Sequence, residues 1–152
     1  MIYLQDIPKL YAYCFAGKDI CPKAATCLRA IAAQLLTDSP EEPLKMITSV
    51  NPVYVQRLPN PDSCLFYRDN KPVRYAKGMT QLFEDLSLKQ ARLIRLRVMS
   101  CFSCESYFYQ SRRGNRLISP KEQEAIRNVF RSAGIANDPK FDQYQYSLAW
   151  SE

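Results

Sequence analysis

The sequence predicts a single α+β domain, predominantly helical, with a small antiparallel sheet. Three observations carry that prediction. Two strong helix-start signals, Ser87-Leu88-Lys89-Gln90 and Ser119-Pro120-Lys121-Glu122, stand in the C-terminal half. Short β-branched and aromatic runs bounded by turn residues fill positions 52–75. A chain of 152 residues, 47% of them hydrophobic, is long enough to bury a core without disulfide staples. The domain divides by composition into a cysteine-bearing half (1–85), a basic helical half (86–135) and an aromatic tail (136–152) expected to pack on the core.

Taken in order, the N-terminus MIYLQDIPKLYAYCF lacks a basic start followed by a long apolar run, so no secretory signal is expected. The first helix is expected over 22–36. Cys21 would sit at its N-cap and Pro22 in the first turn, where a missing N–H costs nothing. Ala24, Cys27, Leu28, Ile31 and Leu35 recur at helical spacing. Thr37-Asp38-Ser39-Pro40-Glu41-Glu42-Pro43 ends that helix, and a short helical turn is expected over 43–48. Val53-Tyr54-Val55 and Leu65-Phe66-Tyr67 read as strands. Residues 76–85 read as helix with Leu82 and Phe83 inward.

The helix opened by the Ser87–Gln90 capping box should run to Met99. Leu88, Ala91, Ile94 and Val98 form one apolar stripe and Leu93 with Leu96 a second, which predicts burial on more than one side. Tyr107-Phe108-Tyr109 reads as a strand entering the basic turn 110–116. The second boxed helix carries Ala125, Ile126, Val129, Phe130 and Ala133 on one face, and Gly134 stops it.

With no histidine, the chain has no Ser-His-Asp triad, no Cys-His dyad and no imidazole zinc ligand. Its four glycines are scattered, so there is neither a GxGxxG turn nor a P-loop. The adjacent carboxylates Glu41–Glu42 and Glu84–Asp85 point about 100° apart on a helix and are assigned to solvent. The longest apolar-rich stretch, 24–36, is too short and too polar to span a bilayer.

The formal charge of +6 is uneven. Residues 86–135 hold ten Lys and Arg against three acids, and the remainder is close to neutral. Arginine dominates there, and its planar fork suits phosphate or carboxylate. The expected nucleic-acid contacts are Arg92, Arg95, Arg97, Arg112, Arg113, Arg116, Arg127 and Arg131, converging into one cationic patch. The bland alternative is a solvated basic face with some arginines paired to acids. Tyr107, Phe108 and Tyr109 offer base stacking, or a strand that is half core and half edge.

Cytoplasm is the default location, where six cysteines stay reduced. Cys14, Cys21, Cys27 and Cys64 make the most attractive metal set, for zinc or an iron–sulfur cluster, with Asp19 as a substitute carboxylate. Ordinary buried thiols are the alternative, since Cys27 lies on an apolar helix face. Cys101-Phe102-Ser103-Cys104 has the C-x-x-C form of a redox dithiol, but it follows a helix and lacks Gly or Pro between the sulfurs.

Three stretches carry a family resemblance: Cys21 to Arg29; Cys64 to Arg68 with Val73 to Gly78; and Tyr107 to Gly114 with Leu117 to Gln123. They resemble an uncharacterised bacterial family of small cytosolic proteins, a domain of unknown function. The resemblance implies that Cys14, Cys21, Cys27 and Cys64 belong to the family pattern, whereas Cys101 and Cys104 look peculiar to this sequence. It implies no activity. The expected function is a non-enzymatic binding module for RNA or DNA. The alternatives are an adaptor for an acidic protein partner and a thiol or metal redox protein.

Overall fold

A computed structural model describes residues 1–41 and 43–150. It contains helices and a small antiparallel sheet, an α+β mixture in which helix takes 38% of the chain and strand 13%. Helix is thus the larger share but under half. The chain forms two compact units: Met1–Lys71 together with the end of the chain from Leu148, and Pro72–Ser147.

In the first unit, β1 (Ala12–Tyr13) pairs in parallel with β2 (Thr48–Ser49). Helix α1 is shorter than the sequence predicts. It spans Leu28–Thr37, with Cys27 at the N-cap and a 3-10 turn, Ala24–Thr26, before it. Pro22 opens a separate turn instead: Cys21 N–H donates to the Gly17 carbonyl at 2.9 Å and Ala24 N–H to that of Cys21 at 3.0 Å. The connector after Thr37 ends α1 as expected, although Glu42 lies outside the described residues. The helical turn expected over 43–48 is absent: residues 43–47 are irregular, with a bend at Lys45, and lead into β2.

The strands expected at 53–55 and 65–67 are absent. Asn51 accepts a hydrogen bond from Val53 N–H at 2.9 Å and Pro52 takes the first position, so the β-prone run folds as α2 (Pro52–Gln56). Cap chemistry overrides β propensity there. Residues 65–67 form a turn and loop, in which Leu65 N–H donates to the Tyr54 hydroxyl at 3.0 Å. Trp150, from the tail, packs edge-on against Tyr11 with ring centres 5.2 Å apart.

The second unit holds the sheet, in the order β4-β3-β5. β3 is Pro72–Lys77, β4 is Leu117–Ile118 and β5 is Gln143–Leu148. β3 and β4 are antiparallel, with Ala76 opposite Ile118. Residues 80–85 form turns rather than helix, yet Leu82 is buried and Phe83 packs on the core as expected.

Helices α3 (Leu88–Met99) and α5 (Pro120–Ser132) carry the complete capping boxes read from the sequence. Only Ile94 and Val98 of α3 are buried, whereas Leu88, Leu93 and Leu96 face solvent, so the expectation of burial on several sides is corrected. Tyr107-Phe108-Tyr109 lies in a helix, α4 (Glu105–Arg112), not in a strand. Phe108 is fully buried with Ile126, Ile118, Met79 and Val98. In the tail, β5 leaves residues 143–146 exposed, while Phe141 packs on the core of the second unit and Trp150 on Tyr11.

Candidate cysteine site and the arginine-rich helices

Four segments of the first unit bring the cysteines together. Cys14 follows β1, and its N–H donates to the Arg29 carbonyl at 3.0 Å. Cys21 closes the 17–21 turn. Cys27 caps α1 and forms an antiparallel bridge with Asp69. Cys64 follows the 3-10 turn Pro61–Ser63, which Asn60 caps by accepting from Asp62 N–H at 2.9 Å.

Arg29 joins two of these segments. Its Nε donates to the Phe66 carbonyl at 3.0 Å and its Nη1 to the Ala12 carbonyl at 2.8 Å. Lys23 pairs with Asp62 and sits 4.6 Å from the centre of the Tyr67 ring.

All four cysteines line one small cavity of about 20 Å³, with Lys23 and Arg29 also in its wall. Cys27 is buried and the other three are half-buried; all are free thiols. Burial pushes the Cys14 thiol above its ordinary value. The Ala16 backbone hydrogen bond opposes that shift, and the neighbouring Cys27, Cys21 and Cys64 add to it. Asp19 is exposed and takes no part in the cavity wall.

The structure brings Cys14, Cys21, Cys27 and Cys64, the expected metal set, to one cavity wall but does not present them as a formed metal shell. Among the described residues, no group of three or more Cys, Asp or Glu side chains is placed to hold a metal ion as it stands. The thiols share a cavity without closing on a common point. Cys27, not Cys21 as expected, occupies the α1 N-cap.

Cys101 and Cys104 lie in the other unit. The Cys101 thiol donates to the Arg97 carbonyl at 3.6 Å. Burial, and then Glu122, push its pKa up against a smaller opposing effect of Arg97, which is the reverse of what an attacking thiolate needs. Cys104 is exposed at the α4 N-cap.

The eight arginines have different occupations. Arg116 makes a two-point pair with Glu122, and its guanidinium lies 4.6 Å from the Tyr107 ring centre. Arg127 pairs with Glu124 and lies 3.9 Å from Asp138, while Arg131 reaches Glu124 at 3.6 Å. These three are neutralised by acids of their own unit.

Arg97 donates to the Ser132 hydroxyl at 2.7 Å. Arg95 lies about 6 Å from the Phe108 and Tyr109 ring centres. Arg92 and Arg113 are exposed and Arg112 is half-buried. None of these last three is ion-paired among the described residues. Lys77 packs beside Gly114, adjacent to Arg113.

One aromatic–cation group escaped the sequence reading. Arg74 lies 4.5 Å from the Tyr144 ring centre, and Tyr144 and Tyr146 on β5 are exposed, Tyr146 at 72%. The alternation Gln143-Tyr144-Gln145-Tyr146 was the available signal; the link to Arg74 is tertiary. Phe108, by contrast, is core and offers no stacking surface.

A cavity of about 270 Å³ beside α1 has only Cys14 and Lys18 as titratable groups in its wall, so it presents no acid–base pair. Among the described residues, no helix is long and apolar enough to cross a membrane.

Fold and site together define a small α+β protein with four cysteines around one cavity in one unit and arginine-rich helices in the other. Residues 1–150 match a family of unknown function (DUF6078), and the chain belongs to that family. No curated protein and no solved structure matches it.

Proposed function

We propose that the protein is a non-enzymatic binding module that holds a nucleic acid on its cationic unit, in the reducing cytoplasm of a bacterium. Charge segregation carries this reading. Residues 72–147 hold 13 Lys and Arg against 7 Asp and Glu, a net +6, whereas the remaining residues hold 8 of each. A polyanion gains from such a surface by releasing its condensed counterions.

Arg92, Arg112 and Arg113, helped by Lys77, are the groups free to meet phosphates. Arg95 and Arg97 flank them in sequence. Arg116, Arg127 and Arg131 serve chiefly to hold α5. Tyr144 and Tyr146, with Arg74 against the first ring, offer faces for unstacked bases, which favours single strands over duplex.

The test is fluorescence anisotropy with a labelled single-stranded oligonucleotide across a salt series. Each phosphate neutralised should contribute a slope of about −0.7 in log K against log salt. Arg92→Ala with Arg113→Ala should flatten that slope, and Tyr146→Ala should weaken binding without changing it. A flat slope, or no binding near about 100 mM salt, overturns the proposal.

A second reading, an adaptor for an acidic protein, is favoured by α3. Leu88, Leu93 and Leu96 are 93%, 61% and 63% exposed on the helix that carries Arg92. Such an apolar and basic face suits an acidic amphipathic helix. Capture of one acidic protein that survives nuclease and is lost in Leu93→Ser, Leu96→Ser would favour this reading over the first.

A further inference from the structure

We propose that Cys14, Cys21, Cys27 and Cys64 are the four ligands of a single soft divalent cation, zinc by size and ligand type, that fastens the first unit together. The inference stands apart from the nucleic-acid reading, which concerns residues of the other unit.

Four thiols from separated stretches of chain share the wall of one cavity of about 20 Å³. That volume accommodates one small occupant, since a water needs about 10–15 Å³. A water there would need two to four good hydrogen-bonding partners, and thiols are weak ones. A thiophilic cation bonds to sulfur directly, and an all-cysteine tetrahedral shell is an ordinary zinc arrangement. An iron–sulfur cluster adds bridging sulfides and further irons, for which a cavity this small has no room.

The surroundings fit a charged thiolate centre. Four thiolates around a divalent cation leave a net charge of −2. Arg29, which has no acidic partner among the described residues, stands in the same wall and offsets part of it, beside Lys23 in its pair with Asp62. The Ala16 backbone group hydrogen-bonded to Cys14 is the kind of outer contact that steadies a ligating sulfur. Arg29 already ties the Cys14 side of the site, through Ala12, to the Cys64 side, through Phe66.

As they stand, no three of these side chains are placed to hold a metal ion, so binding requires cysteine χ1 angles to turn between staggered wells, which for a sulfur one rotatable bond from the backbone is a small change. Binding replaces four S–H bonds by four metal–sulfur bonds and releases four protons to solvent, with no change of oxidation state. The four ligands come from positions 14 to 64, so the cation closes a long stretch of chain.

The test uses the full-length reduced protein with cobalt(II) as probe and zinc as competitor. Equimolar cobalt should give the intense visible bands of tetrahedral thiolate coordination together with a near-ultraviolet sulfur-to-cobalt band, and zinc should bleach both. Alkylation followed by mass spectrometry supplies a readout that does not depend on a variant folding. Zinc should protect Cys14, Cys21, Cys27 and Cys64 and leave Cys101 and Cys104 to react.

Cys14→Ser or Cys64→Ser should lower cobalt affinity at least tenfold, while Cys101→Ser, Cys104→Ser leaves it unchanged. Absence of the thiolate bands, protection that includes Cys101 or Cys104, or equal reactivity of all six thiols with and without zinc each overturns the proposal.

Discussion

Arg116 and Glu122 meet through two parallel bonds, Nη1 to Oε2 at 3.0 Å and Nη2 to Oε1 at 2.8 Å. The same Glu122 carboxylate accepts Ser119 N–H at 2.9 Å and so completes the α5 capping box. Arg116 Nη1 also reaches the buried Ser111 hydroxyl at 3.2 Å and the Leu117 carbonyl at 3.3 Å. One ion pair thus fastens α4, β4 and the start of α5.

Glu122→Gln should therefore destabilise the protein by about 1–3 kcal/mol, from a lost charge-assisted pair and a weakened cap. Arg116→Lys should cost a similar amount, because an ammonium cannot reproduce the planar fork. Urea unfolding measures both. Once corrected for folding, Arg116→Ala should change oligonucleotide affinity less than Arg113→Ala does.

Gly78 and Gly134 both adopt positive φ, 78° and 75°. They differ in their surroundings. A Cβ at Gly78 would run into the Asp142 carboxylate, which accepts Thr80 N–H at 3.1 Å and Thr80 Oγ at 2.9 Å. Nothing lies within 4 Å of a Cβ at Gly134. Gly134→Ala should cost about 1 kcal/mol from backbone strain alone, and Gly78→Ala clearly more. Thermal unfolding of the two variants side by side checks the order.

The Tyr11 hydroxyl is buried without a hydrogen-bond partner. Tyr11→Phe removes that unpaired group and keeps the ring that Trp150 and Arg29 pack against. The variant should be as stable as the parent or gain about 1 kcal/mol. A loss of several kcal/mol in urea unfolding would contradict this.

Burial raises the pKa values of Cys101, Tyr75 and Tyr11 above their ordinary values of 9.0, 10.0 and 10.0. Each holds its proton more tightly when folded. Their stabilisation is complete below the unfolded values and is lost as pH rises through the folded ones. Stability should therefore decline from about pH 9 upward, and Cys101→Ala with Tyr75→Phe should flatten the decline. Denaturant midpoints across an alkaline series measure it.

The same shift makes Cys101 a slow nucleophile. At neutral pH iodoacetamide should label exposed Cys104 well before Cys101, which mass spectrometry resolves by time point. Faster labelling of Cys101 would reopen the redox-dithiol reading.

Elements with a local cause were legible from residue order alone. Ser87 with Gln90 and Ser119 with Glu122 start their helices because the capping partners are three residues apart and need nothing distant. Gly134 ends α5 for an equally local reason. The composition also determined the uneven charge and the exclusion of imidazole chemistry.

Tertiary packing decided the rest. Tyr107-Phe108-Tyr109 became helix because Phe108 fills a core built from β4, α3 and α5, which no local pattern reveals. Which arginines are neutralised depended on where Glu122, Glu124 and Asp138 come to lie. The gathering of Cys14, Cys21, Cys27 and Cys64 around one cavity is tertiary, as are the bonds by which Arg29 ties the chain near Ala12 to the chain near Phe66. Spacing names which residues have the chemistry; only the closing of loops tens of residues long, stabilised by contacts across them, decides which of those residues meet.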